Sequence, residues 1–218
     1  RQAKCVMEAG AADKTKPKRR WYQYSLRTLL LLMLLASIGL SWLAVKLKQA
    51  REQKEAGRAI EEAGGSVIYD YTLEGKSEPS APAWLRNVLG DDFFARVVCA
   101  SVDTDAGLEH LKGLTQLQKL YLSVTQVTDA GLEHLKGLTQ LQELSLGLTQ
   151  VTDAGLEHLQ GLTQLQSLGL SNNQVTDAGL EHLKGLTQLQ VLSLRNTKVS
   201  DTGVKKLQRA LPNLGILR

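Results

Sequence analysis

The chain has 218 residues, 43% hydrophobic and 22% charged, so wholesale disorder is excluded and one domain of ordinary size plus an appendage is expected. Only 5% of residues are aromatic, so the core must be aliphatic, built from leucine repeated many times. The net charge of +4 is unevenly held: residues 1–62 carry 13 Lys/Arg and 6 Asp/Glu, residues 63–218 carry 13 and 16. The C-terminal part therefore lacks the basic footprint that phosphate backbones require, and nucleic acid is not an expected partner.

Residues 1–27 read as a basic tail, with Lys14, Lys16, Lys18, Arg19, Arg20 and Arg27 and the aromatics Trp21, Tyr22 and Tyr24. Met7 is the first possible initiator, so residues 1–6 receive no functional reading. Thr28 to Val45 (TLLLLMLLASIGLSWLAV) is free of charge and spans roughly 27 Å as a helix, enough for a bilayer core. It is too long for a typical cleaved signal and no small-x-small cleavage site follows it, so residues 28–45 are expected to be a transmembrane signal anchor. Six Lys/Arg flank it before and five after (Lys46, Lys48, Arg51, Lys54, Arg58). That bias favours a cytoplasmic N-terminus and a repeat domain on the periplasmic side of a single-pass membrane protein.

Residues 46–65 are predicted to form a charged juxtamembrane helix, rich in Lys, Glu, Gln and Ala and stopped by Gly64 and Gly65. Residues 66–103 are expected to cap a repeat array, which would otherwise leave an apolar end in water. Within the cap, Ser66–Leu73 (SVIYDYTL) reads as a strand, Gly75–Pro82 as a polar loop and Trp84–Leu89 as a short helix ended by Gly90. Phe93–Asp103 is strand-like, with Cys99 a small buried residue. Cys5 and Cys99 lie on opposite sides of the apolar run, which excludes a disulfide framework.

From Thr104 the chain repeats every 24 residues: TDAGLEHLKGLTQLQKLYLSVTQV, then three near-copies, the last ending at Val199, and a degenerate fifth from Ser200. Within each copy the pattern L-x-x-L-x-L-x-x-[T/N]-x-V recurs, at Leu117, Leu120, Leu122, Thr125 and Val127 and their equivalents, which is the leucine-rich-repeat pattern. The predicted fold over 104–218 is an α/β solenoid, with parallel strands on a concave face and helices on a convex one. Leu120 and Leu122 should face inward. Thr125, Thr149, Asn173 and Thr197 should bond backbone groups at the turn. Thr128 or Asp129 should cap a helix burying Leu132, Leu135 and Leu138, and Gly137 should end it in the left-handed conformation. Gly131 sits inside that helix at a cost of about 1 kcal/mol relative to Ala, so close backbone packing is expected there. At the far end Lys205, Lys206 and Arg209 give a partial polar cap, and Gly215–Leu217 should offer an open strand edge.

With T-D-A-G-L after each strand and A-L-P-N-L near the end, the repeats resemble the cysteine-containing leucine-rich-repeat subtype, Thr or Asn standing at its Cys position. The whole chain resembles bacterial membrane-anchored, internalin-like leucine-rich-repeat proteins, residues 18–98 included (RRWYQYSLRTLLLL, GGSVIYDY, WLRNVLGDDFFARVV). The resemblance implies the solenoid fold and no single activity. Eukaryotic proteins with this subtype are often substrate adaptors of ubiquitin ligases, but no F-box-like helical segment occurs here.

No phosphate-binding glycine loop, nucleophile elbow or asymmetric cluster of titratable groups occurs, so no enzymatic activity and no cofactor is expected. The histidine ladder His110, His134, His158 and His182 is explained by duplication. Metal ligands sit about 2 Å from one ion, while neighbouring helices pack about 8–10 Å apart. The copies differ mainly on the exposed strand face and just after it: at Lys119, Tyr121, Ser123 and Val124; Glu143, Ser145, Gly147 and Leu148; Ser167, Gly169, Ser171 and Asn172; Val191, Ser193, Arg195 and Asn196. Glu109, His110, Thr115 and Gln116 are identical in all four copies, although they too should be exposed. Drift alone should alter both surfaces. The expected partner-binding residues are therefore Lys119, Tyr121, Ser123, Glu143, Ser145, Ser167, Ser171, Val191, Ser193 and Arg195, with Tyr121, Glu143 and Arg195 as anchors. The expected function is a membrane-anchored protein-interaction module. The alternatives are an envelope scaffold that self-associates through the open edge or the juxtamembrane helix, and a cytosolic-side adaptor.

Overall fold

A computed structural model describes residues 26–218. The basic run Lys14–Arg20, the aromatics Trp21, Tyr22 and Tyr24, and Cys5 lie outside the described residues. The long helix α1 (Leu26–Glu62) holds the apolar run, where an 18-residue window reaches a mean hydropathy of 2.3 with none of it buried. The residues divide into two units at Trp42 and Leu43.

In the second unit the Lys46–Glu62 stretch is more than a charged link. One of its faces carries Gln53, Ala56, Gly57 and Ile60; Ala56 and Ile60 join the solenoid core, Ile60 fully buried. Gln53 fixes it to the chain around Ala95 and Val97, its Nε2 donating to Ala95 O (2.9 Å) and its Oε1 accepting from Val97 N (3.3 Å). The outward face carries ion pairs between Lys48 and Glu52 at 3.6 Å and between Arg58 and Glu62 at 2.8 Å. The solenoid thus acquires its N-terminal wall from a segment whose charge pattern alone suggested solvent on all sides.

Gly64, at φ 86°, turns the chain back, and at Gly65 a Cβ would stand 2.5 Å from Ser101 O, so the return path admits only glycine. Strand β1 (Ser66–Tyr69) then pairs antiparallel with β2 (Val97–Ser101). The predicted strand Ser66–Leu73 ends early, and Asp70–Leu73 is a helical turn, α2. Pairing shifts register at Ile68/Tyr69, and Asp70 then grips the chain ahead of β2: its Oδ1 accepts from Arg96 N (3.1 Å) and Tyr71 N (2.9 Å), its Oδ2 from Arg96 Nε (3.2 Å). Helix α3 (Ala83–Leu89) stops at Gly90, at φ 85°, as expected.

Each repeat then adds one strand and one helical turn. Strands β3 (Lys119–Tyr121), β4 (Glu143–Ser145), β5 (Ser167–Gly169), β6 (Val191–Ser193) and β7 (Gly215–Leu217) extend the sheet in parallel, in chain order. The convex side carries α4 (Asp105–Glu109), α5 (Asp129–Leu132), α6 (Asp153–Leu156), α7 (Asp177–Leu180) and α8 (Asp201–Ala210), the first four running on into 3-10 turns. Between the layers Leu132, Leu135, Leu138, Leu141, Leu144, Leu146 and Val151 are buried, and the other copies repeat the set. Burying each such leucine contributes about 1.5–3 kcal/mol, enough to carry the coil without aromatics.

Gly137 does not take the left-handed conformation. The 3-10 turn Glu133–Gly137 runs on to Leu138 at φ −86° and ψ 56°, whose N–H bonds Leu135 O, so no left-handed residue is needed there. Among the described residues, the non-glycine residues with positive φ are instead Val124 (64°), Leu148 (57°), Asn172 (59°) and Asn196 (54°), just after the strands.

Candidate functional site

Strand register aligns the concave side chains in rows. Lys119, Glu143, Ser167 and Val191 are consecutive Cα partners, as are Tyr121, Ser145, Gly169 and Ser193. The residues between them, Leu120, Leu144, Leu168 and Leu192, are buried, so by alternation both rows face outward. Ser123, Gly147, Ser171 and Arg195 follow two residues later, and the left-handed positions form the rim. All ten residues singled out in the sequence therefore lie on one face.

The chemistry of this face is uneven. Lys119 Nζ stands 3.1 Å from Glu143 Oε2, so these two charges cancel; the hydrogen bond to Glu143 holds the Lys119 ammonium above its ordinary value. Partial burial, with Glu143 beside it, pushes the Tyr121 phenol up, and it stays neutral. Ser123 and Ser145 share a hydrogen bond of 2.6 Å, and Ser171 and Ser193 one of 2.8 Å, which ties rows together across repeats. Arg195 is exposed and has no salt bridge among the described residues. Apolar surface comes from Tyr121, Val191, Val124 and Leu148, the last two 75% and 54% exposed. Cys99 is a Cα partner of Lys119 in β2 but is buried, and burial raises its thiol.

The turn ladder is present. Thr125, Thr149 and Thr197 hydroxyls donate to Leu122 O, Leu146 O and Leu194 O at 2.6–2.9 Å. Asn173 reaches across a repeat, donating to Leu146 O (2.6 Å) and accepting from Thr149 N (2.9 Å).

A second ladder went unread in the sequence. Thr104, Thr128, Thr152, Thr176 and Ser200 cap the helices, which leaves the aspartates after the four threonines free for another task. Asp105, Asp129, Asp153 and Asp177 each accept from the backbone N–H and the hydroxyl of the cap residue one repeat on, at 2.5–2.9 Å. The predicted close packing at Gly131 is with this ladder: a Cβ there would stand 2.1 Å from Asp105 Oδ1. The signal was the fixed Thr/Ser-Asp-x-Gly spacing, in which cap, acceptor and glycine serve three different contacts.

The hydrogen bonds from Ser200 hold the Asp177 carboxyl below its ordinary value of 3.8. A depressed carboxyl stabilises the fold above its unfolded pKa, and that contribution fades as pH falls through the folded value. The melting temperature of Asp177→Ala should therefore lie below that of the unaltered chain at neutral pH, and the two should converge in acid. Circular dichroism melts across the acid range check this, and a gap independent of pH refutes it.

Among the histidines, His182 Nδ1 lies 2.7 Å from Gln160 Nε2, and no group of three or more His, Cys, Asp or Glu positioned to hold a metal occurs among the described residues.

Leucine-rich-repeat family models match residues 115–175 (leucine rich repeat) and 163–207 (leucine rich repeats, two copies). No curated protein matches the chain. Among solved structures, internalin C2 from Listeria monocytogenes is 35% identical over 50% of this chain and 45% of that one, at a TM-score of 0.44. A leucine-rich-repeat protein of Leptospira interrogans is 26% identical over 50% and 27% of the two chains, at 0.42. The leucine-rich-repeat ectodomain of the receptor kinase SOBIR1 from Arabidopsis thaliana is 20% identical over 77% and 91%, at 0.48. The chain spans less than half the length of the internalin C2 structure. The repeat domain is a leucine-rich-repeat solenoid, a class of protein-interaction module.

Proposed function

We propose that this leucine-rich-repeat protein is a membrane-anchored interaction module whose concave face binds a protein partner on the outer side of the cytoplasmic membrane, without a catalytic step. The observation that carries the reading is where the repeats differ. The outward rows on β3 to β6 change from copy to copy on nearly identical backbones, while the exposed convex residues Glu109, Glu133, Glu157 and Glu181 do not change. A shallow face four repeats wide suits a protein segment or small domain rather than a deep-pocket ligand. Anchoring is supported by the apolar run of α1. Because Lys119 and Glu143 neutralise one another, Tyr121 and Arg195 carry more of the expected binding than Glu143 does.

Photocrosslinking in intact cells tests this. A photoreactive amino acid at Tyr121 should capture one protein that the same group at exposed Glu157 does not, and Glu143→Ala with Arg195→Ala should abolish the capture. An envelope or extracellular partner fits the proposed orientation, whereas a cytoplasmic one reverses it. Equal capture from both positions, or capture that survives the alanines, overturns the concave-face reading. Capture of a second copy favours self-association instead; among the described residues β7 pairs with β6 alone and leaves Leu217 48% exposed at the sheet edge.

A further inference from the structure

The cap contains an apolar face that the solenoid does not use. Helix α3 is fixed by its inner side, where Leu85 and Leu89 are partly covered. The Arg86 guanidinium, only 16% exposed, is held between Glu78 and Asp91. That orientation turns Trp84 and Val88, one helical turn apart, outward, and they are 67% and 74% exposed. Val88 and Leu89 share an open cleft of about 340 Å³ with Leu47, Ala50 and Arg51 of α1.

The level of that cleft along α1 identifies its surroundings. Val45 is the last residue of the uncharged run. Leu47 follows it by about 3 Å along the helix axis and Arg51 by about 9 Å. The headgroup layer on each side of a bilayer core is about 5–7 Å thick. If the run crosses the membrane, α3 therefore packs against the part of α1 that runs from the headgroups into the water just beyond them, where Lys54 also lines the cleft. Charge agrees: Lys46, Lys48, Arg51 and Lys54 stand against the single acid Glu52 in this stretch, and Lys46 and Arg51 have no salt bridge among the described residues. An exposed tryptophan with an aliphatic neighbour beside basic side chains is the composition that settles at a membrane interface.

We propose that α3 is a membrane-surface contact, with Trp84 and Val88 seated among lipid headgroups beside the basic stretch Lys46–Lys54. The contact would brace the cap on the bilayer and set the attitude of the repeats above it. It rests on the anchoring part of the proposed function, so the test separates the two.

The full chain is reconstituted in vesicles of phosphatidylcholine and phosphatidylglycerol as two single-tryptophan forms. Trp21→Phe with Trp42→Phe leaves Trp84, and Trp21→Phe with Trp84→Phe leaves Trp42. Trp42, three residues inside the end of the run, should be quenched by lipids brominated in the upper acyl chains. Trp84 should emit at a blue-shifted wavelength and be quenched more by bromines near the headgroup than by deep ones, and Val88→Asp should return it toward the aqueous wavelength. Quenching of Trp42 with an unquenched, water-like Trp84 overturns the proposal and leaves the anchor standing. A blue-shifted Trp84 that no brominated lipid quenches means that protein covers it, which also overturns the proposal. Loss of quenching at both positions removes the anchor and the proposal together.

Discussion

Gly179→Ala should cost about 3 kcal/mol of stability, against the gain of about 1 kcal/mol that alanine normally brings to a helix. A Cβ at residue 179 would stand 2.3 Å from Asp153 Oδ1 and 3.0 Å from Leu156 Cδ1. The carboxylate cannot yield without losing its bonds to Thr176 N (2.8 Å) and Thr176 Oγ1 (2.6 Å), each a hydrogen bond to a charged acceptor. Thr176 caps α7 by accepting from Ala178 N at 3.2 Å, so the disturbance reaches the start of the next helix. Asp153→Ala alone should cost about 2 kcal/mol. Adding Gly179→Ala to Asp153→Ala should then cost less than about 1 kcal/mol more, because the displaced group is already gone, leaving a coupling of about 2 kcal/mol. Thermal melts of the four forms close the cycle, with the single glycine substitution lowering the midpoint by on the order of 10 °C. Strict additivity would mean that the glycines answer to the leucines and not to the aspartate ladder.

That ladder marks where reading the sequence stopped. The leucines were legible because their spacing is local: Leu120 and Leu122 alternate about one outward residue, and both are buried on the inner face. Thr125 and Asn173 were legible as turn residues because their chemistry is short-range. The Asp129–Thr152 contact joins residues 23 apart, and Thr-Asp offers two equally good caps, so only the coil geometry assigns the cap to Thr128 and frees Asp129 for the next repeat. Ile60 was hidden for a related reason. Its helix is rich in charge, and a single narrow stripe of Gln53, Ala56 and Ile60 decides that it packs. Gly137 shows the opposite error, since a glycine near a helix end suggests a left-handed stop, yet a tightening 3-10 turn removes the need for one. The concave face itself was legible once leucine alternation told which side each residue takes. The pairing of Lys119 with Glu143 was not, because it requires the register between repeats.

The left-handed positions after the strands support the second large effect, of opposite sign. Left-handed backbone costs an L-residue roughly 1–2 kcal/mol, and asparagine is among the few that tolerate it. Two repeats follow that rule: Asn196 Nδ2 donates to Asn172 Oδ1 at 2.8 Å, which joins the rim across repeats. The other two place Val124 and Leu148 there, a β-branched and a large aliphatic side chain, both mostly in solvent, so little buried area offsets the strain. Val124→Asn with Leu148→Asn should therefore stabilise the chain by about 2 kcal/mol and raise the melting midpoint by on the order of 5 °C. No change or a loss would show that the two side chains repay their strain within the fold. A gain gives the substitution a second use, because strained and exposed apolar residues on a surface that varies between copies are costly to keep unless something binds them. The stabilised chain should then lose the protein captured from Tyr121, since its rim no longer offers apolar contact. If capture persists undiminished at the higher melting temperature, recognition lies in the Tyr121 and Arg195 rows alone, and Val124 and Leu148 record divergence between duplicated repeats.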